Sequence, residues 1–483
     1  MGLSSHKVSQ IRRAQKNGSP DSRKNRRLFP RLDRTEILFL VLCLCVYLSW
    51  TFVFTTWSYG PDEYMRYDIP KYIYANHALP TGPEESIRNP IWGVSYGFDI
   101  GMPYLLGALF MRATSLFSTD GTLLLLSARL VSVLSTVGAA YFAMLLARKM
   151  MGKKPIRWVF IISISLLPQV VFLSSYFNLD TFSLFAVLMI VYAWTACLER
   201  EWDTASSVFV AVAMGLCFLS YQFAYSYILA TFLLYVFWHL MYRKKRDFKR
   251  FITTGLVILA VVLVISGWKF IRNGILYDGD FLSLNASKPY AEMYAMEEYK
   301  PSVRTSLAQS GVGLRTMLFD MQWLSMTYQS LIGVFGYLNI FMPKAFYEAF
   351  KYAFAFCAAG TLLKMLVGFM GARRSGTLKD AALFELALML GSFVTFCISV
   401  YNSYTGDYQA QGRYIIAVLP LLATVMASGA QFWIELVTRL MARRPALTSR
   451  VERRFAWLFL GAMLLSTFMG FYLCLSTFVY ASA

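Results

Sequence analysis

The chain has 483 residues, of which 57% are hydrophobic, 17% aromatic and only 15% charged, well below the roughly one-quarter charged content of soluble domains. Its formal net charge of +19 is not gathered on one face. Thirty-one of the 46 Lys and Arg lie in 1–34, 148–157, 243–250, 373–379 and 439–454 and at Arg200, between apolar runs, which argues against a nucleic-acid partner and for cytoplasmic loops with some affinity for anionic membrane lipids.

The first 34 residues read as a basic cytoplasmic tail. The apolar run 35–57 is too long for the core of a signal peptide and is predicted to be an uncleaved anchor. Further runs at 123–148, 157–176, 180–199, 205–222, 223–242, 252–271, 346–370, 380–401, 412–439 and 456–479 reach or approach bilayer-spanning length. The sequence therefore predicts an all-α polytopic protein of the plasma (inner) membrane, with eleven transmembrane helices and a cytoplasmic N-terminus. Two more apolar stretches, Met102–Phe117 and Trp323–Phe341, would carry later basic clusters outside if they spanned, so they are predicted to be interfacial or re-entrant helices. Within a transmembrane domain of 35–483, this leaves two outer segments, about 58–122 and 272–345, each too long to be a turn.

Sixteen of the 27 acidic residues then fall on or near the outer side. Most are accounted for by solvated loops. Asp62 and Glu63, in Gly60-Pro61-Asp62-Glu63 just beyond the first span, have helix-start chemistry, but they also stand where an enzyme acting on lipid-linked substrates needs a base. Successive helical positions point about 100° apart, so one acid would be the base and the other would orient it or the helix. Asp180, in Tyr176-Phe-Asn-Leu-Asp180, lies in a very short outer link; it is either part of a capped turn with Asn178 or a functional acid near membrane depth. Arg272, closing the seventh span in Trp268-Lys-Phe-Ile-Arg272-Asn273, and Arg413, opening the tenth in Gln409-Ala-Gln411-Gly412-Arg413-Tyr414, are scarce outer cations suited to phosphate or to snorkelling. The seven cysteines lie in apolar runs without zinc or redox spacing, and three histidines (His6, His77, His239) make a multi-histidine metal site implausible.

An acidic pair after the first span, Asn-x-Asp at a short outer turn, Trp-x-x-x-Arg-Asn after a later span and Gln-Gly-Arg-Tyr at a late one occur here in order. This series resembles the GT-C superfamily of multi-spanning glycosyltransferases that use polyprenyl-phosphate sugars, and in particular a bacterial branch catalogued as a domain of unknown function. Asp62-Glu63-x-x-Arg66-Tyr67 is similar to a segment of lipid A aminoarabinose transferases, and the acidic pair to one in protein O-mannosyltransferases. Gly333-Val-Phe-Gly336, Pro343 and Tyr347 also fit the bacterial branch. The branch often carries a histidine where this chain has Arg66, and a lysine near the end of the fifth span, where this chain reads Ser220-Tyr-Gln-Phe.

The resemblance implies a GT-C fold and transfer of a sugar from a polyprenyl phosphate or diphosphate to a glycan or lipid acceptor of the cell envelope, on the extracytoplasmic face. Asp62 would take the acceptor proton, with Glu63 and Asp180 as supporting acids. Arg413 and then Arg272 would clamp the phosphate, with Tyr414, Gln411 and Asn178 beside them. No cofactor is demanded; a divalent metal held by carboxylates is compatible with the sequence. A flippase of lipid-linked sugars would instead place charges near the midplane and show repeated halves, and a polysaccharide polymerase or ligase is a nearer alternative.

Overall fold

The computed structural model describes residues 28–54, 60–152, 154–242, 247–375, 379–441 and 445–478. Most of the predicted basic tail, residues 1–27, lies outside them. Helix α1 (Arg34–Val53) starts on a capping box in which Asp33 accepts from the Glu36 N–H and Glu36 accepts from the Asp33 N–H. The same Glu36, buried, pairs with Arg148 and with Arg157 at 3.3 Å, fixing this end of α1 to the helices that follow.

Those helices are α2 (Glu63–Asn76), α3 (Met102–Ser115), α4 (Gly121–Met151), α5 (Arg157–Ser165), α6 (Pro168–Ser174), α7 (Asp180–Glu199), α8 (Thr204–Phe218) and α9 (Ser226–Phe237). Next come α10 (Phe248–Val262), continued through a π-turn at Leu263–Gly267 into α11 (Trp268–Leu276), then α12 (Lys288–Tyr294) and α13 (Trp323–Gly333). After a two-stranded hairpin, α14 (Lys344–Ser375), α15 (Lys379–Thr405), a 3₁₀ segment at Gly412–Val418, α16 (Leu419–Met441) and α17 (Pro445–Phe478) complete the chain.

Among the described residues, nine helices are long and apolar enough to cross a membrane, and α5 with α6, meeting at 47°, makes a tenth. Proline at the first position of α6 accounts for that break. The remaining predicted span, 205–222, is the 15-residue α8, shorter than its apolar run. Its last turn tightens, with the Leu219 N–H reaching Leu216 and Gly215, while the Leu219 carbonyl accepts from Met102 and the Tyr221 N–H donates to Ser183. Met102–Phe117 holds the 14-residue α3 and Trp323–Phe341 holds the 11-residue α13 followed by the hairpin, and among the described residues neither forms a helix long enough to cross a membrane.

The bundle is layered. The apolar windows of α4 and α7 are 72% and 83% buried, whereas those of the continuous α10–α11 span and of α14 are 17% buried. α4 packs against α1, α3, α5 and α7, and α14 against α16. The two long loops meet at one end, where the Met296 N–H donates to the Ile91 carbonyl, Tyr277 donates to Thr81, and the Arg88 guanidinium lies 3.6 Å from the centre of the Tyr294 ring. The Gly333–Gly336 motif is structural: Val334 and Phe335 pair antiparallel with Phe341 and Ile340, Gly336 turns at φ +59°, Tyr347 donates to the Gly333 carbonyl and Gln169 accepts from the Val334 N–H.

Candidate functional site

Gly60 packs against the bundle: a Cβ there would lie 2.3 Å from the Tyr176 ring, so only glycine permits this approach. Asp62 follows at φ 61°, ψ 4°, a left-handed conformation that Asp tolerates better than most residues. It heads α2 without capping it, so the helix-start explanation does not apply to its side chain. The turn aims the carboxylate at Arg413, which donates from Nη2 to Asp62 Oδ2 at 2.6 Å and from Nη1 to the Pro61 carbonyl at 3.3 Å. Burial pushes the Asp62 carboxyl up, but the Arg413 and Arg66 guanidinium groups outweigh it and hold it below the usual carboxylate range. The Asp62 side chain is 31% exposed, whereas that of Arg413 is 4% exposed: the pair is anchored on its cationic side and open on its carboxylate side.

Glu63 points the other way. It is fully buried and accepts from Arg129 Nε at 2.7 Å and Nη2 at 2.6 Å, and from the Phe177 N–H at 2.7 Å. Arg129 also donates to the Phe54 carbonyl. One acid thus ties the end of α1, the head of α2, α4 and the 176–180 turn together, and leaves the other at the mouth of the site. Sequence reasoning missed Arg129, although an arginine within Leu123–Leu134 is the kind of intramembrane charge that needs a partner.

The 176–180 turn is built by Asn178. Its Nδ2 donates to the Leu173 and Tyr176 carbonyls, and its Oδ1 accepts from the Thr181 N–H. Both amide hydrogens are spent inside the turn, so Asn178 has no donor left for a phosphate. Asp180 starts α7 with 1% exposure and neither carboxylate oxygen hydrogen-bonded, so it is not the cap of its helix. Arg413 and Arg66 act on it through space.

Arg413 is delivered by close contact between the 3₁₀ segment and α13. A Cβ on Gly412 would lie 2.1 Å from the Leu331 nitrogen, and the Gly412 N–H donates to Ser330 Oγ at 2.6 Å. Tyr414 accepts from Arg413 at 3.1 Å and stacks on Phe223 with ring centroids 4.9 Å apart. Gln411 donates to Gln409 and keeps an unpartnered buried Oε1. Arg272 is elsewhere: it donates to the Pro80 carbonyl and to Asn273 at 3.2 Å, a loop tether and not a partner of Arg413. The deeper cation of that helix is Lys269, buried against Asp99 at 2.9 Å.

Among the described residues, no group of three or more His, Cys, Asp or Glu is placed to hold a metal. Immediately behind the 3₁₀ segment lies an apolar cavity of about 280 Å³, bounded by Leu331, Ile332, Phe396, Ile415, Val418 and Leu422 among others.

A family model described as a predicted membrane protein (DUF2142) matches residues 101–422. No curated protein matches the chain. Among solved structures, the Archaeoglobus fulgidus oligosaccharyltransferase tethered to an acceptor peptide containing the NVT sequon aligns over 91% of this chain and 55% of its own, at 16% identity and TM-score 0.52. The same organism's AglB oligosaccharyltransferase, in complex with an inhibitory peptide and a dolichol-phosphate, aligns over 92% and 56%, at 16% identity and TM-score 0.51. ArnT from Cupriavidus metallidurans bound to undecaprenyl phosphate aligns over 92% and 74%, at 14% identity and TM-score 0.46. The chain spans just over half the length of the archaeal enzymes, and at these identities the likeness establishes the GT-C fold alone.

Proposed function

Because the chain belongs to the DUF2142 family of predicted membrane proteins and has the GT-C fold, we propose that it is a membrane glycosyltransferase. It moves a sugar from a polyprenyl phosphate or diphosphate to a glycan or lipid acceptor of the cell envelope. The observation that carries this reading is the mismatch of buried polar atoms around Arg413. Arg413 Nε lacks an acceptor, and both oxygens of Asp180 lack a donor. Each such unsatisfied group costs on the order of 1–3 kcal/mol, and more where the group is charged. A glycosyl phosphate answers both kinds at once, since its phosphate oxygens accept and its sugar hydroxyls donate. The apolar cavity behind Gly412–Val418 supports a lipid-borne phosphate, with the first isoprenoid units against Ile415 and Val418.

In this reading the acceptor hydroxyl loses its proton to Asp62 as its oxygen bonds to the anomeric carbon. The bond from that carbon to the phosphate oxygen breaks, and its electron pair leaves with the phosphate, which Arg413 neutralises. Phosphate is already a good leaving group, so no strong general acid is needed. Glu63 positions the head of α2 through Arg129, and Asp180 receives sugar hydroxyls. The basic residues Arg148 and Arg157 sit at the opposite end of the bundle, with Asp33 and Glu36, which supports an extracytoplasmic site.

The test is mass spectrometry of lipid-linked sugars and envelope glycans in cells with and without the protein. A lipid-linked sugar should accumulate and one glycan modification should disappear, restored by wild type and not by Asp62→Asn. Unchanged lipid-linked sugars and glycans in the deletion strain would overturn the assignment.

A further inference from the structure

Four arginines are nine-tenths or more buried among the described residues: Arg66, Arg129, Arg157 and Arg413. Three have carboxylates. Arg129 holds Glu63 at 2.6 Å, Arg157 holds Asp33 at 3.2 Å and Glu36 at 3.3 Å, and Arg413 holds Asp62 at 2.6 Å. Arg66, 1% exposed, makes no ion pair and no hydrogen bond to a carboxylate or carbonyl among the described residues, and its Nε is without a partner. Removing a guanidinium from water costs several kcal/mol unless a charge and hydrogen bonds offset it, and the protein itself supplies no direct counter-ion here.

What it does supply is a holder. The Arg66 guanidinium carbon lies 4.7 Å from the centre of the Tyr96 ring and 5.1 Å from that of Tyr221, and the Tyr104 hydroxyl is within its reach. Aromatic faces fix a planar cation in place while leaving its N–H edge free for an anion. The holder leads directly to the site already described. The Tyr221 and Tyr414 ring centroids are 6.1 Å apart, and Tyr414 accepts from Arg413. Asp62 and Asp180 act on Arg66 through space without bonding to it.

We propose that Arg66 is a phosphate-binding residue: together with Arg413 it forms a two-guanidinium cradle for the phosphate of a lipid-linked donor and for the polyprenyl phosphate left after transfer. This rests on the glycosyltransferase reading and adds to it. Transfer leaves a phosphate monoester carrying more negative charge than the sugar-linked diester, so the cradle holds the leaving group more tightly than the donor. Arg413 alone would be divided between Asp62, Tyr414 and the Pro61 carbonyl; Arg66 meets the Tyr104 hydroxyl but, among the described residues, no carboxylate or carbonyl, and its Nε is left over.

The experiment measures binding of undecaprenyl phosphate, undecaprenol, inorganic phosphate and phosphatidylglycerol to the full-length protein in neutral phosphatidylcholine nanodiscs. Wild type should prefer undecaprenyl phosphate over the other three. Arg66→Gln should weaken undecaprenyl phosphate binding by roughly tenfold to a hundredfold, leaving undecaprenol binding and the control Arg439→Gln, on an exposed helix face, at wild-type levels. Arg66→Lys keeps the charge but not the planar shape and should bind several-fold more weakly than wild type. It serves as the test if the glutamine variant does not fold. Wild-type affinity in whichever variant folds overturns the proposal while leaving the donor reading standing. Equal competition by inorganic phosphate or phosphatidylglycerol overturns the lipid-phosphate assignment. A wild-type protein that ignores undecaprenyl phosphate overturns both.

Discussion

Replacing Asp62 by asparagine separates chemistry from architecture more cleanly than any other single change at this site. The backbone at φ 61° suits Asn as well as Asp, and the side chain makes no cap bond that could be lost. Asn Oδ1 can still accept from the cationic Arg413, so an ion pair becomes a hydrogen bond with one charged partner, a loss of about 1 kcal/mol. Water shares the remainder, because the Asp62 side chain is 31% exposed. Folding should therefore be nearly unaffected, with the melting temperature within a few degrees of wild type. On the proposed mechanism the proton acceptor, by contrast, is gone, and the chemical step should fall by about 10²–10⁴, which is about 3–5.5 kcal/mol of barrier. The assay is single-turnover transfer from a radiolabelled polyprenyl-phosphate sugar in proteoliposomes, with undecaprenyl phosphate binding measured in parallel. Wild-type turnover in the variant would refute Asp62 as the base and leave Asp180 as the next candidate. Lost turnover together with lost binding would mean that Asp62 acts only by holding Arg413.

Arg413→Ala should weaken donor binding roughly tenfold or more and Arg413→Lys less; unchanged binding in the alanine variant would reduce Arg413 to a structural partner of Asp62. The same guanidinium keeps the Asp62 carboxyl low. A base works only when deprotonated, so activity is present above the Asp62 pKa and is lost as pH falls through it. Wild type should hold its activity below the usual carboxylate range, and Arg413→Gln should move the acid limb of the pH–rate profile upward; a limb that stays in place would detach Asp62 from the profile. Glu63→Ala leaves Arg129 buried without its counter-charge, at a cost of about 3–5 kcal/mol, visible as a lowered melting temperature or loss of folded protein. A fully stable but inactive variant would instead bring Glu63 into the chemistry. Cysteines introduced at the exposed positions Ser86 and Ser302 should react with an impermeant thiol reagent on intact cells, and labelling only after permeabilisation would put the site on the wrong side.

The helices were largely legible in the sequence because a bilayer imposes a length and a composition on each one, and α1, α4 and α7 carry both. α8 was misjudged by several residues for a reason that composition cannot carry: its end is fixed by Met102 and Ser183, which approach from the first loop and from α7. At the candidate site the acids stand out in the sequence more than the cations that the fold brings to them. Asp62 stands out beside an apolar run, but its partner lies 351 residues away, and nothing local to Glu63 announces Arg129. Arg272 and Arg66 show the difficulty most plainly. The sequence puts both on the outer side of the membrane, and only Arg272 in a motif that suggests phosphate. Packing then gave Arg272 a carbonyl at Pro80 and gave Arg66 two aromatic faces and no carboxylate. An arginine's availability to a ligand is set by which acceptors the fold has already brought to it, and Arg66, ordinary in sequence, is left with a buried Nε that has none.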